Sequence, residues 1–198
     1  MAETIIDLIR HGEPMGGSRY RGHAIDDPLS EKGWRQMQDA LGQSRPWQVI
    51  VSSPLLRCSE FARSLSEALD VPCETDIRLQ EIGFGAWEGK TRQQLVQEVP
   101  DQYHAFYRDP LHCRPPGAEN LSVFIERTTQ AYEDILQRHS GKHILCVTHA
   151  GVMRAIISHT LHASPLGMYK IKIDNAGITR IRDSGLGGVL EFINQSLE

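Results

Sequence analysis

Short apolar runs of strand length alternate with longer segments of helical period along this chain. That alternation predicts a three-layer α/β/α sandwich with a mostly parallel central sheet. Residues 4–9 (T-I-I-D-L-I) read as the first strand, and a glycine-rich loop follows as far as Pro28. Ser30 is placed as the N-cap of a helix over 30–43. Residues 49–52 read as the second strand, after which Ser53 and Pro54 set a capping hydroxyl before a proline at the first helical position, opening a helix to residue 69. A short strand is expected at 72–75. From Asn120 onward, Leu121, Phe124, Ile125, Thr128, Ala131, Tyr132, Ile135 and Leu136 recur at helical spacing and define the clearest amphipathic helix. Residues 143–148 read as a buried strand, 151–161 as a helix, and 169–173, 176–182 and 188–193 as closing strands.

Residues 78–119 break this rhythm. They hold Gly83, Gly85, Gly89, the stop Arg114-Pro115-Pro116-Gly117, and two short helical stretches at 91–98 and 100–108. A long irregular segment in a compact domain is commonly functional, so an excursion over the active face of the sheet is expected. With 198 residues, 40% of them apolar, the chain can bury one core, and a single domain over 1–198 is expected. A net charge of −4 argues against a general nucleic-acid partner, whose binding would rest on a basic face. No apolar run approaches the roughly 20 residues of a membrane helix, and Met1-Ala2-Glu3-Thr4 lacks a basic leader, so no membrane partner and a cytoplasmic location are expected. Cys58, Cys73, Cys113 and Cys146 include no C-x-x-C pair and read as reduced thiols. His159 and His162 lie one turn apart without a third ligand nearby, which favours packing over zinc.

Two histidines occupy matched places. His11 follows I-I-D-L-I-R and precedes Gly12, and His149 follows I-L-C-V-T and precedes Ala150-Gly151. Each should project from the carboxyl end of a parallel strand, the edge where open α/β sheets bind ligands. Arg10 adjoins His11, while Arg57 falls in a first helical turn, where a cation opposes the helix dipole and wants an anion as its reason. Two arginines, two imidazoles and the helix-start amides at Ala150 and Gly151 make a pocket for a tetrahedral dianion. A neutral imidazole is a competent nucleophile, and surrounding positive charge lowers its pKa and keeps it deprotonated. Attack by His11 on phosphorus would give a covalent intermediate. The leaving alkoxide then needs a proton, and Glu81 in R-L-Q-E-I-G-F-G-A-W-E-G is the candidate donor, with Glu13 and Glu88 as rivals that spacing does not separate.

The motifs L-I-R-H-G-E (8–13), R-Y-R-G (19–22), D-P-L-S-E-K-G (27–33), V-S-S-P-L-L-R (51–57), L-Q-E-I-G-F-G-A-W-E-G (79–89) and V-T-H-A-G-V-M-R (147–154) together resemble the histidine phosphatase superfamily, in its phosphoglycerate mutase-like branch. The resemblance spans nearly the whole chain. It implies the phosphoglycerate mutase-like fold, His11 as phosphohistidine nucleophile, Arg10, Arg57 and His149 as phosphoryl ligands, and Glu81 as proton donor and later as base. It also implies that no metal or other cofactor is needed. The F-G-A-W-E-G form of the acid loop is most similar to the alpha-ribazole phosphatase group, which implies alpha-ribazole 5′-phosphate in cobalamin assembly as a substrate. Two departures stand out. Gly17 occupies the place where mutase members carry Asn, in a loop two residues shorter, which leaves Ser18 or Arg21 to replace that contact. Ala118-Glu119-Asn120 replaces G-E-S, with Glu119 expected to support the site.

Arg19 and Arg21 are candidate substrate contacts with Ser18, against the alternative of solvated loop charges. Phe84 and Trp87 are expected to pack, and His23, His104, His112, His139 and His143 to lie at the surface. The expected activity is a metal-independent phosphomonoesterase acting on a small phosphorylated metabolite, as monomer or homodimer. The alternatives are mutase-type phosphoryl transfer and a non-catalytic phosphate-binding module.

Overall fold

The computed structural model describes residues 3–197. Its six strands form one sheet in the order β3-β2-β4-β1-β5-β6. They are β1 (Thr4–Arg10), β2 (Val49–Ser52), β3 (Cys73–Thr75), β4 (His143–Thr148), β5 (Ile178–Asp183) and β6 (Gly188–Gln195). β1, β2, β3 and β4 pair in parallel, and β5 runs antiparallel to both β1 and β6. The helices are α1 (Glu31–Leu41), α2 (Leu56–Leu69), α3 (Arg92–Glu98), α4 (Pro100–Arg108), α5 (Leu121–Arg138) and α6 (Ala150–Thr160).

Side-chain alternation along the strands divides the core into two. Ile6, Leu8, Val49, Val51, Ile144 and Cys146 pack with α5 and α6 on one face, while Ile9, Ile50, Leu145 and Val147 pack with α1 and α2 on the other. The three-layer expectation agrees with this arrangement. The excursion at 78–119 adds Leu79, Phe84, Trp87, Leu95, Tyr103 and Phe106 to the α5/α6 side, so Phe84 and Trp87 do pack as expected. Trp87 stacks on Tyr103 with centroids 5.9 Å apart and donates its indole N–H to Gln102.

Ser30 caps α1 as expected: its hydroxyl accepts from Gly33 N at 3.0 Å and donates to Glu13 O at 2.8 Å. Three other expectations fail, each for a local reason. Ser53 and Pro54 do not open α2, which starts at Leu56; the Ser53 hydroxyl is engaged with His149, and Asp26 from the distant glycine-rich loop accepts from Leu56 N at 2.7 Å instead. No strand forms at 169–173; Ser164 caps a 3-10 segment at Pro165–Lys170. His139 is buried, facing Glu74 at 3.3 Å, and His143 bonds a buried carboxylate.

That carboxylate is Asp7, a charge in the middle of the strand that otherwise reads as apolar. It is fully buried and accepts from Arg180 Nε (2.7 Å) and Nη2 (2.9 Å), from Trp47 Nε1 (2.9 Å) and from His143 Nε2 (2.9 Å). Burial alone would raise its pKa, but the bonds from His143, Arg180 and Trp47 outweigh it and lower the value. Removing one member of a buried, hydrogen-bonded charge cluster strands the others. Asp7→Ala should therefore cost about 3 kcal/mol of folding stability. Urea denaturation at neutral pH checks this, and a loss under about 1 kcal/mol would show that the cluster is easily resolvated.

Candidate active site

Register brings the two histidines together. Arg10 pairs with Thr148 at the ends of the parallel strands β1 and β4, and His11 N donates to Thr148 O at 2.9 Å. The next residues, His11 and His149, then emerge side by side at the carboxyl edge, their rings 5.2 Å apart at 64°. β2 ends at the same edge, where Ser53 N donates to Val147 O at 3.0 Å, and α2 carries Arg57 back over it. A cavity of about 200 Å³ opens there, lined among others by Arg10, His11, Arg57, Glu81, Ala150 and Gly151.

His11 Nδ1 lies 2.7 Å from Gly12 O. A carbonyl oxygen only accepts, so Nδ1 carries the proton and Nε2 holds the free lone pair. Burial pushes the His11 pKa well below the ordinary histidine value, and the charges of Arg10 and Arg57 push it further. Gly12 is required by close approach: a Cβ there would run into the Gly33 carbonyl at the start of α1.

Arg10 donates through Nη1 to Ile173 O at 2.7 Å, and Arg57 donates to Gly22 O (2.7 Å) and Ile25 O (3.0 Å). Both keep a buried Nε–H without a partner among the described residues. Burial lowers Arg10 to about 10 despite the nearby Glu81 carboxylate, and it lowers Arg57 in the same way. Two desolvated guanidinium groups with spare donors make an anion site.

Glu81 sits half-buried in the cavity wall. One oxygen accepts from Ile82 N (3.0 Å) and the other from Gly151 N (3.2 Å), and a Cβ on residue 151 would collide with the carboxylate. The Gly151 amide expected to face a phosphate is thus engaged with Glu81. The rivals have other duties. Glu13 pairs with Lys32 at 2.9 Å, and Glu88 accepts from Phe84 N (2.8 Å) and Ala24 N (3.2 Å). Glu119 accepts from Gly83 N (3.1 Å) and pairs with Arg127 (2.7 Å), which also donates to Arg78 O and Gln80 O, so it fastens the acid loop.

His149 is fully buried behind His11 and is absent from the cavity lining. Its Nε2 lies 2.7 Å from Ser53 Oγ and 3.6 Å from Cys58 Sγ. Burial, followed by the charge of Arg57, lowers its pKa well below the usual value. Of the loop candidates, Ser18 and Arg19 are exposed at the cavity mouth, with Arg19 Nε on Gly16 O at 2.9 Å. Arg21 reaches the cavity but is buried, and it donates to Asp27 (2.9 Å), Met15 O (2.6 Å) and Gly17 O (2.7 Å). Its main duty is to hold the loop around Gly17, whose φ of 72° suits glycine.

Arg154, Tyr169 and Asn175 also line the cavity and were not singled out in the sequence. Arg154 closes the V-T-H-A-G-V-M-R motif four positions after Ala150, a spacing that sets it on the same helix face. Tyr169 and Asn175 lie in the irregular stretch 165–177 and carry no such signal. Ser53, which reads in the sequence as a helix cap, and Cys58, which reads as a reduced thiol, are the side chains that touch His149.

Residues 6–196 match the histidine phosphatase superfamily (branch 1), and the chain belongs to that superfamily. It is 28% identical to a bifunctional protein of Mycobacterium tuberculosis over 180 residues, which cover 89% of this chain and 49% of that one, so the chain spans about half that relative's length. It is 29% identical to phosphoserine phosphatase 1 of Hydrogenobacter thermophilus, over 88% of this chain and 84% of the relative. The structure of an alpha-ribazole phosphatase from Shigella flexneri superposes with a TM-score of 0.83 at 25% identity, covering 98% of this chain and 99% of the other.

Because both site histidines are held neutral in the folded chain, they take up protons on unfolding as pH drops below about 6.5. That contribution to stability is complete above the unfolded pKa and declines as pH falls towards the lowered folded values. Ring resonances of His11 and His149 should accordingly stay in the neutral form at pH 6, read by nitrogen-detected NMR in the free protein. Titration of either ring at or above 6.5 would contradict the burial argument.

Proposed function

We propose that this chain is a phosphomonoesterase that hydrolyses a small phosphorylated metabolite through a phosphohistidine on His11. The reading is carried by one observation: a buried imidazole with Nδ1–H committed to Gly12 O shares a cavity with Arg10, Arg57 and Glu81. His11 Nε2 attacks phosphorus, forming the P–N bond as the P–O ester bond breaks. Arg10 and Arg57 hold the non-bridging oxygens and stabilise the charge that gathers on them. Glu81 gives its proton to the departing alcohol, then takes one from the water that attacks the phosphohistidine and frees Nε2. His149 acts from behind, as a neutral ring packed on His11 and held by Ser53, a support more than a direct ligand. In this scheme charge stabilisation comes from the side chains, with no metal or cofactor assigned a step.

The cavity volume of about 200 Å³ favours a small substrate, being below the roughly 300 Å³ at which pockets for drug-sized ligands begin. Relatives named for phosphoserine and for alpha-ribazole phosphates are matched at similar identity, so both substrates belong in the first screen. Mutase-type transfer is tested by adding a bisphosphate primer to 3-phosphoglycerate, where hydrolysis is expected to outrun isomerisation.

His11→Ala should abolish both turnover and the acid-labile, base-stable label left by a phosphorylated substrate. Normal turnover in that variant would end the His11 mechanism, whereas neither turnover nor label in the native protein would leave a non-catalytic binding module. Glu81→Gln should slow alkyl phosphates by about a hundredfold and p-nitrophenyl phosphate far less, because nitrophenolate scarcely needs a proton. Equal losses in the two assays would remove Glu81 from the acid role.

A further inference from the structure

The cavity holds more positive charge than one phosphoryl group requires. Arg10 and Arg57 carry the spare buried donors beside His11, and two guanidinium charges match one phosphoryl dianion. Arg21 is paired with Asp27, and Glu13 with Lys32, so these charges are settled within the protein. Arg19 stands exposed at the cavity mouth, held through Nε to Gly16 O. In the cavity wall the half-buried Arg154 remains.

Its position is prepared with care. Arg154 Nε donates to Ile171 O at 2.8 Å, and the guanidinium carbon lies 5.7 Å from the centre of the Tyr169 ring. Tyr169 is fixed in turn by Arg114, whose Nη1 donates to its hydroxyl at 3.1 Å while Nη2 donates to Gly83 O at 3.0 Å. Arg114 itself is sandwiched by aromatic rings, 5.5 Å from Phe84 and 5.4 Å from Phe106. This chain of contacts anchors Arg154 through Nε and the guanidinium face, and among the described residues neither terminal nitrogen has a hydrogen bond or an ion pair. The edge left open is the Nη1/Nη2 pair, a flat two-donor fork that matches the two oxygens of a carboxylate.

We propose that Arg154 is a specificity-determining residue that binds a carboxylate of the substrate, so that the preferred substrates are small phosphorylated hydroxy or amino acids. The proposal rests on the phosphatase reading above. A cavity of about 200 Å³ suits a phosphoryl group and a carboxylate separated by a few carbons. The positioned fork also gives a reason for a guanidinium so close to Arg10 that the two repel: a second substrate anion relieves it.

The test compares 3-phosphoglycerate with glycerol 3-phosphate, which differ in carboxylate against hydroxymethyl, and measures alpha-ribazole 5′-phosphate and p-nitrophenyl phosphate alongside. The native enzyme should prefer 3-phosphoglycerate over glycerol 3-phosphate by about tenfold or more in kcat/KM, mainly through KM. Arg154→Gln should shrink that preference to within about twofold, and Arg154→Lys should restore part of it as a point charge without the fork. A merely structural role would lower all four substrates together. No carboxylate preference in the native enzyme, a preference unchanged in Arg154→Gln, or faster turnover of alpha-ribazole 5′-phosphate than of 3-phosphoglycerate would each overturn the proposal. Loss of His11-dependent hydrolysis of p-nitrophenyl phosphate in the native enzyme would instead sink the phosphatase reading on which it stands.

Discussion

Everything at the carboxyl edge of the sheet depends on keeping cations dry. Arg57 is 1% exposed and Arg10 is half-buried, yet each meets backbone carbonyls in place of a bonded carboxylate. Taking a guanidinium out of water costs several kcal/mol even after relaxation. Carbonyl oxygens repay part of that cost, and the spare Nε–H groups leave the remainder open. The cavity wall therefore carries positive charge that the protein does not pair, and an incoming dianion supplies what the protein withholds. The same dry positive field holds His11 neutral, so one arrangement suits an anion and prepares the proposed nucleophile.

Maintaining that arrangement falls to loops that are fastened to one another as well as to the sheet. Asp26 reaches from the 14–28 loop to cap α2, and the carbonyls of Gly22 and Ile25 in that loop receive Arg57. Glu88 from the acid loop accepts from Ala24, while Arg127 on α5 gathers Glu119 and the carbonyls leading to Glu81. The proposed nucleophile, acid and phosphoryl ligands thus lie on separate elements tied by directional polar contacts, of which the bond from Arg57 to Gly22 O is buried. That buried tie sets its partners' positions tightly, because an unmade buried bond is costly. Asp7 performs a comparable service lower in β1, joining three elements through one carboxylate.

The parts of this architecture that follow from local periodicity were legible in the chain. Residues 49–52 and 143–148 read as strands and are strands, and Ser30 caps the helix it precedes. Where a residue's partner lies far away in sequence, local reading failed. Ser53 looks like a helix cap until His149, 96 positions away, takes its hydroxyl. His139 and His143 look like surface groups until Glu74 and Asp7 enclose them. In the site, His11, Arg10, Arg57 and Glu81 carried signals through strand ends and motif context and do share one cavity, whereas Tyr169 enters from a 3-10 segment with no periodic pattern.

Reaction and recognition draw on different parts of this frame. Arg10, His11 and Arg57 stand at strand ends or a helix start, where parallel pairing leaves little freedom, and that constraint suits a reaction whose geometry varies little from one phosphate ester to another. Arg154, Tyr169 and Arg114 are held by aromatic faces and loop carbonyls, Arg114 and Tyr169 on irregular stretches before α5 and after α6. Replacing a loop side chain there alters what the cavity accepts without disturbing the register of β1 and β4 that aligns the histidines. On the proposed scheme, a shared fold at 25 to 29% identity can keep one phosphoryl chemistry while its members are named for different phosphates, because the residues proposed to read the rest of the substrate lie outside the sheet that would organise the reaction.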